Sequence, residues 1–383
     1  MRRRRLGLVI GGVIVGLLIV EVGLRLVTPT TAKEWIRELM GEKRTTCTVK
    51  DEVLHHKFLA NCEGVIKNQD FEVRIKTNSL GLREREIGGK ERGIYRVLIL
   101  GDSFAMGWGV EREDRFSEIA ASLLKEERGG EKDRVEVINA GVNSYSTVLE
   151  LEYLRYKGIQ FDPDLVMVMV DFSDLHDDYF YGGWQRHDNL RQALMRGSEE
   201  PVKEQIRRQK RWFDWLIDGL RLFDYGYTRL VGWSLRAKQR LGWENLSTDF
   251  LIYERAIDWG EYGKAWNLPV ANLRLMKEYL EGEEIEMVVV IVPEGIFFEG
   301  EWQGGRKLAG FKPEVYNWGA VKMIEAKLRQ LGVKVVDWYQ VFESVNEDEQ
   351  LFYDNDRHWT KKGNQVIGEE LARFLQDAAI GKL

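Results

Sequence analysis

Gly101-Asp102-Ser103-Phe104 follows a continuously apolar run at 97–100 and precedes the small residues Ala105 and Gly107. Such a run is the pattern of a parallel strand buried on both faces. It sets Ser103 at the strand's carboxyl end, where open α/β sheets bind ligands, and a helix starting there would aim free N–H groups at developing negative charge. Ser103 is therefore a candidate nucleophile. Gly, Asp and Ser equally suit a turn with a helix cap, so the tetrapeptide alone leaves both uses open. Acyl transfer at a serine needs three more things: a base for its proton, a group orienting that base, and donors for the oxyanion.

Other segments join this one. They are Thr77-Asn78-Ser79-Leu80-Gly81-Leu82-Arg83, Val135-Glu136-Val137-Ile138-Asn139-Ala140-Gly141, Asp162-Pro163-Asp164-Leu165-Val166 and Asp356-Arg357-His358-Trp359. Together with the Gly-Asp-Ser segment they resemble the blocks of the SGNH/GDSL hydrolase superfamily, in its membrane-anchored bacterial form, from Thr77 to Leu371 with one long interruption. The resemblance implies a three-layer α/β/α, flavodoxin-like fold with a five-stranded parallel sheet. It makes Ser103 the nucleophile and His358 the base. Of the other histidines, His55 and His56 precede the domain, while His176 and His187 lie in polar stretches with no matching motif. Many members carry D-x-x-H, but the position three before His358 is Asn355, so the D-x-H spacing selects Asp356 as the orienting acid, with Asp354 the alternative.

The oxyanion hole departs from the family pattern. The resemblance implies the Ser103 N–H, a glycine N–H in the second block and an asparagine side chain in a G-x-N-D third block. Here the third block reads Asp171-Phe172-Ser173-Asp174, so Ser173 replaces asparagine. Aligning the second block through Asn139-Ala140 puts Ser144 at the glycine's place, with Gly141 and Asn143 nearby. A backbone donor survives such a replacement, whereas a hydroxyl is shorter than an amide, and losing one donor costs about 2.7–4 kcal/mol. Asp174, His176, Asp177 and Asp178 together suggest a metal site, but an acidic loop at a strand end is more commonly solvated or hydrogen-bonded. With no Gly-rich phosphate loop, neither a metal nor a cofactor is expected.

The elements that must position these residues alternate in type. Strands are expected at 97–100, 135–139, 165–170, 287–292 and 333–336, and helices at 116–127, 147–156, 316–331 and 362–376, the order of a parallel sheet with helices on both faces. Alternation at 71–76 reads as a half-exposed strand or hairpin leading in. The hydrolase-like domain is expected at 93–378, interrupted by a helical insertion at 179–282. The insertion's centre, 199–241, interleaves Arg and Lys with Trp212, Phe213, Trp215, Leu216, Leu220, Phe223 and Trp233. A cap over the site, a membrane-surface helix and a polymer-binding face all fit that pattern.

Ahead of the domain, Arg2 to Arg5 precede an apolar segment at 6–27 broken only by Glu21 and Arg25. At about 1.5 Å per residue it spans the roughly 30 Å hydrocarbon core. Residues 1–27 are thus expected to be a cytoplasmic stub and single transmembrane anchor, 28–92 a juxtamembrane segment, and everything after 27 outside the cytoplasm; a cleaved signal peptide is the competing assignment. Cys47 and Cys62, the only two cysteines, would there form a disulfide; with His55 and His56 a zinc site is the alternative. The net charge of −6 argues against a nucleic-acid partner, and thirteen tryptophans suit carbohydrate or interfacial contacts as well as a core. The expected function is an extracytoplasmic serine esterase on O-acyl esters, O-acetyl in the first instance, of a cell-surface glycan or a small ester. An O-acyltransferase on exopolysaccharide and a catalytically degenerate glycan- or partner-binding relative are the alternatives.

Overall fold

A computed structural model describes residues 16, 43–44, 47–126, 135–197, 263–264, 266–298, 300–305, 319–345 and 349–380. The chain divides into two units. Of the unit Met1–Lys43 with Ile206–Asn245 only residues 16 and 43 are described; the central sheet and the helices around it belong to the unit Arg44–Gln205 with Leu246–Leu383. The expected anchor at 6–27 and the insertion's centre at 199–241 lie outside the described residues, residue 16 excepted. Among the described residues no helix is long and apolar enough to cross a membrane.

This second unit begins with two antiparallel pairs. Strands β1 (Thr48–Asp51) and β2 (His55–Phe58) form a hairpin, as do β3 (Glu63–Lys67) and β4 (Glu72–Lys76). In β4 the expected alternation holds: Val73 and Ile75 are buried, Glu72, Arg74 and Lys76 exposed. A disulfide joins Cys47 to Cys62 with Cα atoms 5.8 Å apart, so their thiolates are not available to a zinc ion. It closes the chain on either side of the first hairpin, where Leu59 N–H also bonds Cys47 O.

Five parallel strands follow: β5 (Tyr95–Leu100), β6 (Val135–Asn139), β7 (Leu165–Val170), β8 (Glu286–Ile291) and β9 (Lys334–Asp337). Their order across the sheet is β9-β8-β7-β5-β6, the flavodoxin-like doubly wound arrangement. Val97 sits level with Val137 on one side and Leu165 on the other, and Val289 level with Val168 and Val335. Every residue of β5 and β7 is buried, as strands covered on both faces must be. A short helix, α1 (Ser103–Met106), leaves β5. One group of longer helices pairs α2 (Phe116–Glu126) with α9 (Lys361–Ile380); another pairs α3 (Thr147–Tyr156) with α6 (Asn267–Gly282). Helix α7 (Gly319–Gln330) precedes β9 and α8 (Tyr339–Glu343) succeeds it.

The expected bounds of β6, β7 and α3 match those observed, and the other expected elements differ by one to four residues at one or both ends. A larger difference concerns the stretch 179–282. Its last part is α6, which buries Leu268, Leu273, Met276 and Leu280 and packs on β8; two parallel neighbours such as β7 and β8 need a crossover of this kind. Its first part carries the end of α4 (Asp174–Phe180) and α5 (Gly183–Met195).

The lead-in Thr77 to Arg83 builds directly onto the turn after β5 that carries Ser103. Asn78 Oδ1 accepts from Leu80 N and Leu82 N, which fixes the bend, and the buried Arg83 guanidinium donates to Met106 O, Gly107 O, Val110 O and Arg74 O. Three carbonyls of the turn after β5 and one of β4 are thereby satisfied by one side chain.

The disulfide closes a loop of sequence separation 15, for which the chain-entropy model gives about 3 kcal/mol. The Cys47→Ser/Cys62→Ser variant should unfold at correspondingly lower urea; an unchanged midpoint would contradict the structural role.

Candidate active site

Ser103 opens the four-residue helix α1, whose N-cap is Asp102: Asp102 Oδ1 accepts from Phe104 N at 2.8 Å. The turn into it is tight. A Cβ on Gly101 would meet the Cβ atoms of Ala105 at 2.6 Å and Met169 at 3.0 Å, so glycine alone lets β5 pass into the helix against β7. Ser103 lies after β5 and Asp171 after β7, the pair of strands between which the sheet order reverses.

The last block reaches the same place from the far end of the chain. His358 Nε2 stands 2.7 Å from Ser103 Oγ, and His358 Nδ1 2.5 Å from Asp356 Oδ1. The other carboxylate oxygen of Asp356 accepts from Asn68 Nδ2 at 2.9 Å and Trp108 Nε1 at 3.1 Å. Burial works to raise the Asp356 carboxyl, but the His358 charge and the bonds from His358 and Trp108 hold it below the usual range. An ionised acid on Nδ1 fixes the tautomer that leaves Nε2 free to accept. Asp354 is placed elsewhere: it is exposed, and its Oδ1 caps Gly304 N at 3.0 Å. Asn355 is turned onto Asp70.

The serine has a second neighbour, Asp102 Oδ2 at 3.0 Å. Burial and the nearby Asp171 push the Asp102 carboxyl well above its ordinary value, with Arg357 opposing. A carboxyl held toward its neutral form competes less with His358 for the Ser103 proton.

The expected hole residues have distinct settings. Ser173 donates its hydroxyl proton to Asp171 Oδ1 at 2.7 Å and accepts from Arg357 Nη2 at 3.2 Å, so its only donor hydrogen is engaged. Ser144 is the third residue of a turn closed by Tyr145 N–H to Val142 O, and its φ is 60°. That left-handed conformation is free for glycine and costs about 1–3 kcal/mol for other residues, in keeping with the glycine that the resemblance puts there. The neighbouring alternative, Gly141, has its N–H committed to Asn139 Oδ1 at 2.9 Å. Among the described residues no acceptor takes the Ser144 N–H.

Arg357 is a site residue that the motifs do not single out. It lies between Asp356 and His358 but points the other way, pairing with Asp171 at 2.9 Å, Glu294 at 3.5 Å and Asp102 at 4.0 Å. Residues 354–358 bend instead of running extended, so no periodicity in the sequence announces that direction. Glu294 follows β8, and its Oε1 accepts from Phe172 N. Burial pushes its carboxyl up to about 7, Arg357 opposing and Asp171 assisting. Nothing local marks Asn68 or Glu294, which act across long sequence separations. The acidic group of the third block is a hydrogen-bonded element: Asp178 takes bonds from Thr147 Oγ1, Val148 N and Asn272 Nδ2, and Asp174 Oδ2 accepts from Asp171 N.

Residues 266–383 match the family model described as the SGNH hydrolase-like domain of acetyltransferase AlgX. The match contains Asp356 and His358 and stops short of Ser103. No curated protein matches the chain. Solved structures similar to it include the lipase/acylhydrolase from Enterococcus faecalis, 13% identical over 74% of this chain and 97% of that one, with a TM-score of 0.39. The acetyl xylan esterase AlAXEase is 13% identical over 73% and 99%, TM-score 0.39. A G-D-S-L family lipolytic protein from Veillonella parvula DSM 2008 is 10% identical over 74% and 98%, TM-score 0.37.

Glu294 gives a pH test of the electrostatics. Its folded value of about 7 lies above the 4.5 of a free glutamate. The native state therefore binds the proton more tightly, and stability falls as pH rises from about 4.5 through 7. Glu294→Gln, which keeps the acceptor for Phe172 N, should match the parent at pH 4 and exceed it at pH 8 by roughly 3 kcal/mol. A difference that does not change with pH would contradict the assignment.

Proposed function

We propose that this chain, a member of the SGNH/GDSL hydrolase superfamily by its residues 266–383, is an acyl-ester enzyme that works through an acyl intermediate on Ser103. The observation that carries the proposal is the unbroken relay Ser103 Oγ, His358 Nε2, His358 Nδ1, Asp356 Oδ1, with spacings of 2.7 and 2.5 Å.

The relay supports the following steps. Ser103 Oγ attacks the ester carbonyl carbon and its proton passes to His358 Nε2, while Asp356 balances the imidazolium without taking the proton. The carbonyl oxygen becomes the oxyanion, held by the N–H groups of Ser103 and Ser144. When the intermediate collapses, the bond from carbon to the leaving alkoxy oxygen breaks and that oxygen takes the proton from Nε2. The acceptor then gives its own proton to Nε2 and attacks the acyl-Ser103 carbonyl carbon; on collapse the carbon–Oγ bond breaks and Ser103 Oγ takes the proton back from Nε2. No cofactor enters any step.

The acyl group proposed is acetyl, and the substrate an O-acetylated cell-surface glycan. The anchor at 6–27 would hold the domain outside the cytoplasm, a location that the Cys47–Cys62 disulfide suits. Water as the acceptor makes the protein an esterase. A sugar hydroxyl as the acceptor makes it an O-acyltransferase, which the match to a family described as an acetyltransferase favours.

Purified protein incubated with an aryl acetate should release the phenol, and Ser103→Ala or His358→Ala should each abolish release. The double variant should be no worse than either, since members of one relay are not additive. Asp356→Ala should lose far more than Asp354→Ala. Adding an oligosaccharide separates the acceptors: acetylated sugar in the products means transfer, and acetate alone means hydrolysis. A Ser103→Ala variant as active as the parent would refute the proposal.

A further inference from the structure

The hairpin of β1 and β2 precedes the first strand of the sheet, yet it touches the second block. His56 Nε2 lies 2.7 Å from Asn143 O, and Tyr145 Oη donates to His56 O at 2.9 Å. The His56 ring also packs on Tyr145, with centroids 5.1 Å apart. These contacts bracket the turn Val142 to Tyr145, in which Ser144 is the residue at positive φ.

The bond to Asn143 O has a directional consequence. A carbonyl only accepts, so His56 Nε2 carries a proton, and Nδ1 is left facing His55 Nδ1 at 3.0 Å. The peptide joining Asn143 to Ser144 is planar and trans, so its N–H points opposite to its C=O. Fixing the carbonyl on the hairpin side aims the Ser144 N–H to the other side of the loop. The loop also packs on the turn that carries Ser103: Val142 N–H bonds Gly101 O, and a Cβ on Gly141 would meet Met106 N at 2.4 Å. In a turn with positive φ at its third residue the middle peptide is the unit that flips between the two common turn types. A serine there resists the orientation that glycine would take freely, so an external partner for the carbonyl decides which way the peptide faces.

Resting on the ester chemistry of Ser103, we propose that His56 is a positioning residue for the oxyanion hole, locking the Asn143–Ser144 peptide so that the Ser144 N–H faces the substrate carbonyl at Ser103. The segment ahead of the hydrolase-like domain thus completes the site instead of serving as a spacer. The Cys47–Cys62 disulfide, which closes the chain around the hairpin, holds His56 at its post.

The test uses the full chain and an aryl acetate, with kcat and KM measured separately. His56→Phe keeps a ring against Tyr145 but has no donor; kcat should fall roughly ten- to a hundredfold, with KM within about twofold, as for a donor used in the transition state. His56→Gln restores an N–H donor without the ring and should recover kcat to within a few-fold of the parent. Thermal melts establish that both are folded. Should His56→Phe fail to fold, Tyr145→Phe carries the test, because it removes the second tie to the hairpin and should lower kcat in the same direction. Parental kcat in folded His56→Phe, parental kcat in Tyr145→Phe where that variant must stand in, or His56→Gln as impaired as His56→Phe, would overturn the positioning role while leaving the ester chemistry standing. A parent without any turnover would remove both.

Discussion

A hydroxyl and an imidazole separated by 255 residues of sequence meet at 2.7 Å, and most of what surrounds them serves to hold that distance. On the serine side the constraint is a turn with no room for a Cβ at Gly101, and carbonyls of the following turn gathered by Arg83. On the histidine side, Tyr353 N–H bonds His358 O and Thr360 N–H bonds Leu351 O, so the last block is a narrow loop standing on a two-residue bridge between Phe352 and Trp359. Trp359 anchors that loop: it is buried, and its Nε1 donates to Pro293 O. Tyr353 Oη then reaches Gly109 O at 2.7 Å and ties the two halves of the site together. A misplacement of about 1 Å at such a pair can cost a hundredfold in rate, so this many ties around one contact is physically reasonable.

Electrostatics sets the second requirement. Asp102, Asp171 and Glu294 crowd one guanidinium, that of Arg357. Three buried carboxylates cannot all ionise beside one cation without cost, and Asp102 and Glu294 respond by holding their protons more tightly. The result is a floor of shared charge next to Ser103, which Asp102 Oδ2 touches at 3.0 Å. Ser173, where the family pattern has asparagine, belongs to this floor through its bonds to Asp171 and Arg357.

Much of this was legible in the residues. The apolar runs of β5 and β7 announced fully buried strands, and the alternation of strand and helix announced a parallel sheet. Gly101-Asp102-Ser103 and Asp356-Arg357-His358 supplied the atoms that meet. What was not legible depends on contacts between distant segments. No local pattern says that Asn68 will brace Asp356, that Glu294 will face Arg357, or that His56, ahead of the whole sheet, will reach Asn143. The crossover helix Asn267–Gly282 was merged with its neighbour for a different reason: its apolar residues adjoin a long aromatic and basic stretch, and the Gly263 and Pro269 that mark its start were not read as a boundary.

The central claim, that Ser103 is made nucleophilic by His358 and carries the acyl group, is met most directly by catching the intermediate. Protein mixed with an aryl acetate, quenched in acid during turnover and digested, should yield the peptide containing Ser103 heavier by one acetyl group. That adduct should be missing in Ser103→Ala and greatly slowed in His358→Ala. Product release with no acetyl on Ser103 at any quench time, or acetylation of Ser103 at the same rate without His358, would contradict it.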